Sequence, residues 1–203
     1  MPITELALLR SKVPEPTPST REGLRAAQTA QSDWSKFPVH FLRQEEDTSY
    51  FYLLGGWESV AEHTGEWITS KTNQEVLGRL KDDVDVGWMF HLDIDPSKSA
   101  AVLNAPVVSI SRYFVEADKK AQFERVYTNG VPDPEAHISP LLFAGGWRID
   151  KAGEDEEFVL LAGWNTVADH YKFPESDAFR EFGKIKDAIK GVEIKHGRLE
   201  KWE

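Results

Sequence analysis

Six histidines supply this chain's titration near neutral pH, and four of them recur in register. Residues 51–63 read FYLLGGWESVAEH and residues 158–170 read FVLLAGWNTVADH, matched without a gap at an offset of 158 − 51 = 107. His63 and His170 close the two segments. Further along, LGRLKD (77–82) aligns with FGKIKD (182–187) at 182 − 77 = 105, which sets His196 opposite His91. His40 and His137 have no counterpart. A neutral imidazole can take a proton from a phenol or an activated C–H, and the imidazolium then stabilises the anion formed. His63, His91, His170 and His196 are therefore the candidate catalytic residues.

Each helix histidine lies four residues after a hydroxyl, Ser59 or Thr166, that fits a helix cap. Strand alternation puts His91 with Met89 and His196 with Val192 and Ile194, so each strand histidine can face the helix histidine of its own copy. Trp57 and Trp164 end the preceding strands, where an indole can stack on a flat ligand or cap the core. The copies differ beside the strand histidine, where Trp88 and Phe90 in the first stand for Glu193 and Lys195 in the second. The first copy is the drier one and the better match for an apolar ligand. His40, Trp57, Trp88, Phe90, Trp164 and Tyr171 make up the candidate substrate-binding set. The same residues also have a structural use: a strand-end Trp closes a core and a repeated His holds a turn. Recurrence favours that use, because a chain seldom needs two identical active sites.

Other chemistries find little footing. The chain has no cysteine, which removes disulfides, thiolate metal sites and Cys nucleophiles. It has no HExxH and no GxSxG, and Gly55-Gly56 and Gly145-Gly146 read as strand glycines rather than a phosphate loop. No metal and no cofactor is expected; haem is a lesser alternative, since one histidine can ligate it. A net charge of −10 argues against nucleic acid and anionic membrane as partners. No signal segment or membrane span is evident, so a cytoplasmic protein is the expectation.

The elements that must hold these residues come in a repeating order. Residues 3–9 read as a strand, Pro14, Pro16 and Pro18 as an extended link, and Ser19 to Glu22 as the box opening a helix with Leu24, Ala27, Gln31 and Trp34 on one side. Strands follow at 39–42 and 50–57, then the capped helix, then a strand at 84–94. Residues 95–99 read as a polar join. The second round has strands at 107–115, 141–149, 157–164 and 192–199, a helix capped by Asp118, and a second capped helix broken by Pro174. This β-α-β-β-α-β order, twice, predicts an α+β fold of ferredoxin-like units. Strand 50–57 is apolar at both parities, with Phe51, Leu53 and Trp57 on one side and Tyr52 and Leu54 on the other. A unit with helices on one face only needs a second layer on the other.

A ferredoxin-like unit carrying W-x-[ST]-x-x-[DE]-H where strand turns into helix resembles the dimeric α+β barrel superfamily. Its antibiotic biosynthesis monooxygenase (ABM) branch is the nearest in pattern. The resemblance spans two tandem copies, 1–95 and 96–203, and implies that they pack as an intrachain barrel. It further implies a cofactor-independent monooxygenase, or a cyclase or isomerase, acting on an aromatic or polyketide-type small molecule of secondary metabolism. His63 would be the base, helped by His91, with Trp57 and Trp88 shaping the pocket. A homodimer of tandem chains is left open. The alternative is a non-catalytic ligand-binding or stress-type barrel.

Overall fold

Both faces of the repeated strand are covered, each by a different layer. The computed structural model describes residues 1–13, 15–130, 142–151, 153–176 and 179–202. Eight strands form one antiparallel sheet: β1 (Ile3–Ser11), β2 (His40–Gln44), β3 (Tyr50–Trp57), β4 (Val84–Leu92), β5 (Val107–Val115), β6 (Phe143–Trp147), β7 (Glu156–Trp164) and β8 (Gly191–Glu200). Their order is β4-β1-β3-β2-β8-β5-β7-β6, so four strands of the first half join four of the second through β2 and β8. The outermost strands also meet. Leu92 and Arg148 form an antiparallel bridge, and Ile149 N–H donates to His91 O at 2.9 Å beside it. The sheet thus curls back on itself. This is an α+β fold of ferredoxin-like type.

The concave face gathers Leu6, Leu42, Tyr52, Leu54, Val108 and Leu161 from both halves into one core. On the outer face, Phe51 and Leu53 of β3 pack with Leu24 of α1 (Pro18–Ser35) and Leu80 of α2 (Lys71–Leu80). α3 (Pro96–Val102) adds Val102 to the inner core, and α4 (Lys120–Gly130) packs Phe123 on Tyr113 and Phe158. α5 (Val167–Lys172) and α6 (Phe179–Phe182) complete the second half. No helix among the described residues is long and apolar enough to cross a membrane.

Several local expectations are corrected. Pro18 does not belong to the extended link: it occupies the first turn of α1, where its missing N–H costs nothing, and Thr17 is the cap, accepting from Thr20 N–H. The polar join is a helix, α3, because Asp95 caps Ser97 N–H and Pro96 again fills the first turn. Glu116, not Asp118, precedes the turn that leads into α4. Pro174 does end α5, in a short 3₁₀ turn. Residues 131–141, with His137 and the start of the strand expected at 141–149, lie outside the described residues.

The largest correction concerns Trp88 and Phe90. They stack on each other at 4.9 Å on the concave face, opposite to Met89 and His91. Arg112 lies 4.4 Å above Trp88 and Arg148 4.7 Å above Phe90. Both arginines reach Glu157, at 2.6 Å and 3.2 Å. The two rings are therefore walls of an interior ion cluster and not of an apolar pocket. Arg112→Met leaves Glu157, 7% exposed, with one cation fewer and is expected to cost ~3 kcal/mol in urea unfolding.

Candidate active site

Three neighbouring strands set out the first site. In register, His91 of β4 faces Glu5 of β1, and Glu5 faces Gly55 of β3. His63 comes from above, from the turn after β3. Ser59 Oγ accepts from Glu62 N–H at 3.1 Å, and Glu62 reaches back to Glu58 N–H at 2.9 Å, so the chain is capped as it leaves the strand. The capped turn continues as a π-helical turn, Glu62–Trp67, closed by Ile68 N–H on His63 O at 2.9 Å. Such a wide turn is a recurrent feature of functional sites.

The histidines paired by the repeat touch. His63 Nδ1 is 2.7 Å from His91 Nε2, and His91 Nδ1 is 2.8 Å from Asp150 Oδ2. Asp150 also accepts from His91 N–H at 3.1 Å. A carboxylate only accepts, so His91 donates to it from Nδ1. In the neutral pair His91 Nε2 must then accept from His63 Nδ1–H. His63 Nε2 is left with its lone pair, 3.8 Å from Glu5 Oε2. Trp57 stacks flat on His63 at 4.2 Å and donates Nε1–H to Glu5 Oε2 at 2.8 Å. Gln31 of α1 donates to the same oxygen at 2.7 Å.

Burial governs the protonation states. It depresses His63 to about 3, with neighbouring His91 adding to the shift, so the ring is neutral at physiological pH. Burial raises Glu5 and outweighs the Trp57 and Gln31 hydrogen bonds that pull it down. Burial would raise Asp150 too, but the ring and backbone of His91 overcome it and hold the carboxylate below its usual range. A cavity of about 510 Å³ opens between the sheet and helices α1 and α2, with Glu5 and His63 on its wall. Ala7, Leu9, Leu24, Phe41 and Met89 are among its apolar lining, and Lys81 and Asp85 line it too.

The second half carries a counterpart. His170 Nδ1 is 2.7 Å from His196 Nε2, and His196 Nδ1 is 2.7 Å from Glu46 Oε1. Trp164 stacks on His170 at 4.4 Å. Burial, then His196, lowers His170 to about 4. Glu46 is held low by His196 against the opposing effect of its own burial. The acid and the glycine have no equivalent. Ser109 faces both His196 and Ala162, and Trp164 Nε1–H donates to Ser109 Oγ at 2.9 Å. Tyr171, 65% exposed, lies parallel to His170 on its open side. His40 shares the concave face with Leu42 and its partner Leu54, away from both sites.

Four residues of the first site escaped the sequence reading: Glu5, Gln31, Gly55 and Asp150. Glu5 did carry a signal, as the single acid in the strand ITELALL at the parity of Ile3, Ala7 and Leu9. The difference between Gly55 and Ala162 was another. A Cβ on Gly55 would meet Gln31 Nε2 at 2.7 Å and Glu5 Oε2 at 3.2 Å, so the glycine makes room for the acid. Asp150 had none, because it arrives from the other half of the chain.

No family model matches the chain, and a search of curated proteins finds no match. Solved structures do match over nearly the full length. A candidate monooxygenase from Fusobacterium nucleatum aligns with TM-score 0.70 at 10% identity, over 98% of this chain and 93% of that one. A chlorite dismutase from Candidatus Nitrospira defluvii gives 0.66 at 10%, over 99% and 91%. An anthrone oxidase-like protein gives 0.63 at 9%, over 98% and 92%. At these identities the likeness establishes the fold, the ferredoxin-like α+β barrel. Among the described residues no group of three or more His, Asp and Glu side chains converges as a metal would require.

The two depressed histidines set an acid limit on stability. In the unfolded chain both would protonate near 6.5, and in the fold only near about 3 and about 4. Between those values the unfolded chain binds more protons, so stability is full above pH 6.5 and falls as pH drops through the window. The urea midpoint should fall steadily between about pH 7 and pH 4, and the double variant His63→Gln, His170→Gln should flatten that slope.

Proposed function

We propose that the chain is two tandem ferredoxin-like units, 1–95 and 96–203, closed into an intrachain barrel, with the working site in the first. In this reading the protein is a cofactor-independent monooxygenase-like enzyme of ABM type. Its substrate is an apolar aromatic or polyketide-type small molecule of secondary metabolism. His63 Nε2 removes a proton, and the substrate anion supplies the electrons that reduce O₂ taken from solution. His91 and Asp150 are positioning residues: they fix the His63 tautomer and place a negative charge behind the ring as it becomes an imidazolium.

One observation carries this reading. The Asp150–His91–His63 chain ends with an unprotonated nitrogen on the wall of a cavity of about 510 Å³, within the size range of small-molecule sites. The fold shared with a candidate monooxygenase and an anthrone oxidase-like protein is consistent with it. A second reading has its own support. The recurrence of the chain as Glu46–His196–His170 is what a purely structural cross-link would produce, and it favours a non-catalytic ligand-binding barrel.

Oxygen uptake with a panel of hydroxylated aromatics separates the two. His63→Gln is expected to lower turnover ~10²–10⁴-fold, and His170→Gln to leave it within about twofold. Asp150→Asn should lower turnover by at least ~10-fold without weakening ligand binding. Loss of stability in both histidine variants, with turnover unchanged in each, would decide for the binding barrel.

A further inference from the structure

We propose that Glu5 is the acid that works with His63 as base, and that together they enolise a carbonyl substrate held in the first-half cavity. The inference rests on the reading above that His63 takes a proton there, and it names the substrate class: an apolar ketone bearing an acidic C–H beside its carbonyl. Among the described residues Glu5 and His63 share one wall of the cavity, 3.8 Å apart.

The second half shows that Glu5 does more than anchor a tryptophan. Ser109 occupies the matching place, between His196 and Ala162, and bonds Trp164 Nε1–H at 2.9 Å with a hydroxyl. A serine therefore suffices for that contact. The first half instead buries a carboxyl, 4% exposed, and rebuilds its surroundings to do so. Gln31 supplies a second donor, and Gly55 gives up the side chain that would block it. Burying a carboxyl costs stability, and the cost is the more avoidable where a hydroxyl would serve.

The hydrogen bonds also place the proton. Oε2 accepts from both Trp57 and Gln31, so a proton on this carboxyl belongs on Oε1, which is free to donate to a substrate carbonyl. Burial raises Glu5 above the usual carboxyl range, which favours its protonated form, while His63 stays neutral. In the proposed cycle base and acid are both uncharged before reaction, the cheaper state for two buried groups.

The step balances without a co-reactant. His63 Nε2 takes the proton from carbon, and the C–H electron pair becomes the C=C bond. The carbonyl π pair moves to oxygen, which takes the Glu5 proton. The enol leaves behind an imidazolium and a carboxylate, whose attraction offsets the burial of each. The net charge of the site does not change. Return of the proton from His63 to Glu5 resets the pair. His170 has Ser109 where the first half has Glu5, so in this proposal the activity belongs to the first half.

The test is anaerobic exchange of the acidic C–H of 2-tetralone in D₂O, followed by proton NMR. Wild-type protein is expected to accelerate exchange, and Glu5→Gln and His63→Gln each to reduce it ~10²-fold. His170→Gln should exchange as wild type does. Gly55→Ala, which copies the second half, should also slow exchange and gives the answer if Glu5→Gln fails to fold. Exchange at the wild-type rate in Glu5→Gln, with His63→Gln inactive, would overturn the role of Glu5 and leave the base reading standing. No exchange by wild type, with oxygen uptake on hydroxylated aromatics intact, would overturn enolisation alone. Unchanged exchange in both variants would overturn both.

Discussion

Two backbone hydrogen bonds tie the halves of this protein together beside the strand histidines. Ile149 N–H donates to His91 O, and Glu45 N–H donates to His196 O, each at 2.9 Å. They extend the sheet from one half into the other, and they seat the next residue, Asp150 or Glu46, against a histidine ring. Closing the barrel and completing each His–His–carboxylate chain are therefore one event. Neither half contains a finished site, because the carboxylate always comes from across the junction.

That dependence explains how a strand apolar at both parities is covered on both faces within one chain. The inner parity of β3 goes to the shared core, with Tyr52 and Leu54 meeting Val108 and Leu161. The outer parity goes to the helices, with Phe51 and Leu53 against Leu24 and Leu80. The concave face also holds charge: Arg112 and Arg148 lie over Trp88 and Phe90 and share Glu157. These charges are tolerated there because they are paired with one another. The outer face of the first half stays open enough to leave a cavity, with Glu5 and His63 on its wall and Glu5 on β1 between β4 and β3.

Comparison of the two halves separates what recurs from what occurs once. The stacked Trp, the helix His and the strand His occur twice, with ring separations of 4.2 and 4.4 Å for the Trp–His stacks. They are common to both turns. Glu5, Gln31 and Gly55 occur once and depend on one another, since the acid needs the amide donor and the amide needs the missing Cβ. The feature that distinguishes the halves is thus a buried carboxyl, and not the aromatic residues Trp88 and Phe90 that the letters favour.

Strand and helix positions were largely legible. Period-2 runs found β1, β3, β5 and β7, and Ser59 and Thr166 marked the turns that carry His63 and His170. The pairing of His63 with His91, and of His170 with His196, followed from the repeat and from strand alternation, because both are local rules of geometry. Helix starts at Thr17 and Asp95 were missed, as a proline in the first turn reads like a break. Only the tertiary structure decided the rest: which face Trp88 points to, which carboxylate meets which imidazole, and that Glu5 ends beside His63. Those contacts join residues 52 to 150 positions apart in the chain, such as Glu5 with Trp57 and Glu46 with His196. Periodicity assigns a residue to a face of its own strand, but only the closed sheet determines what that face meets.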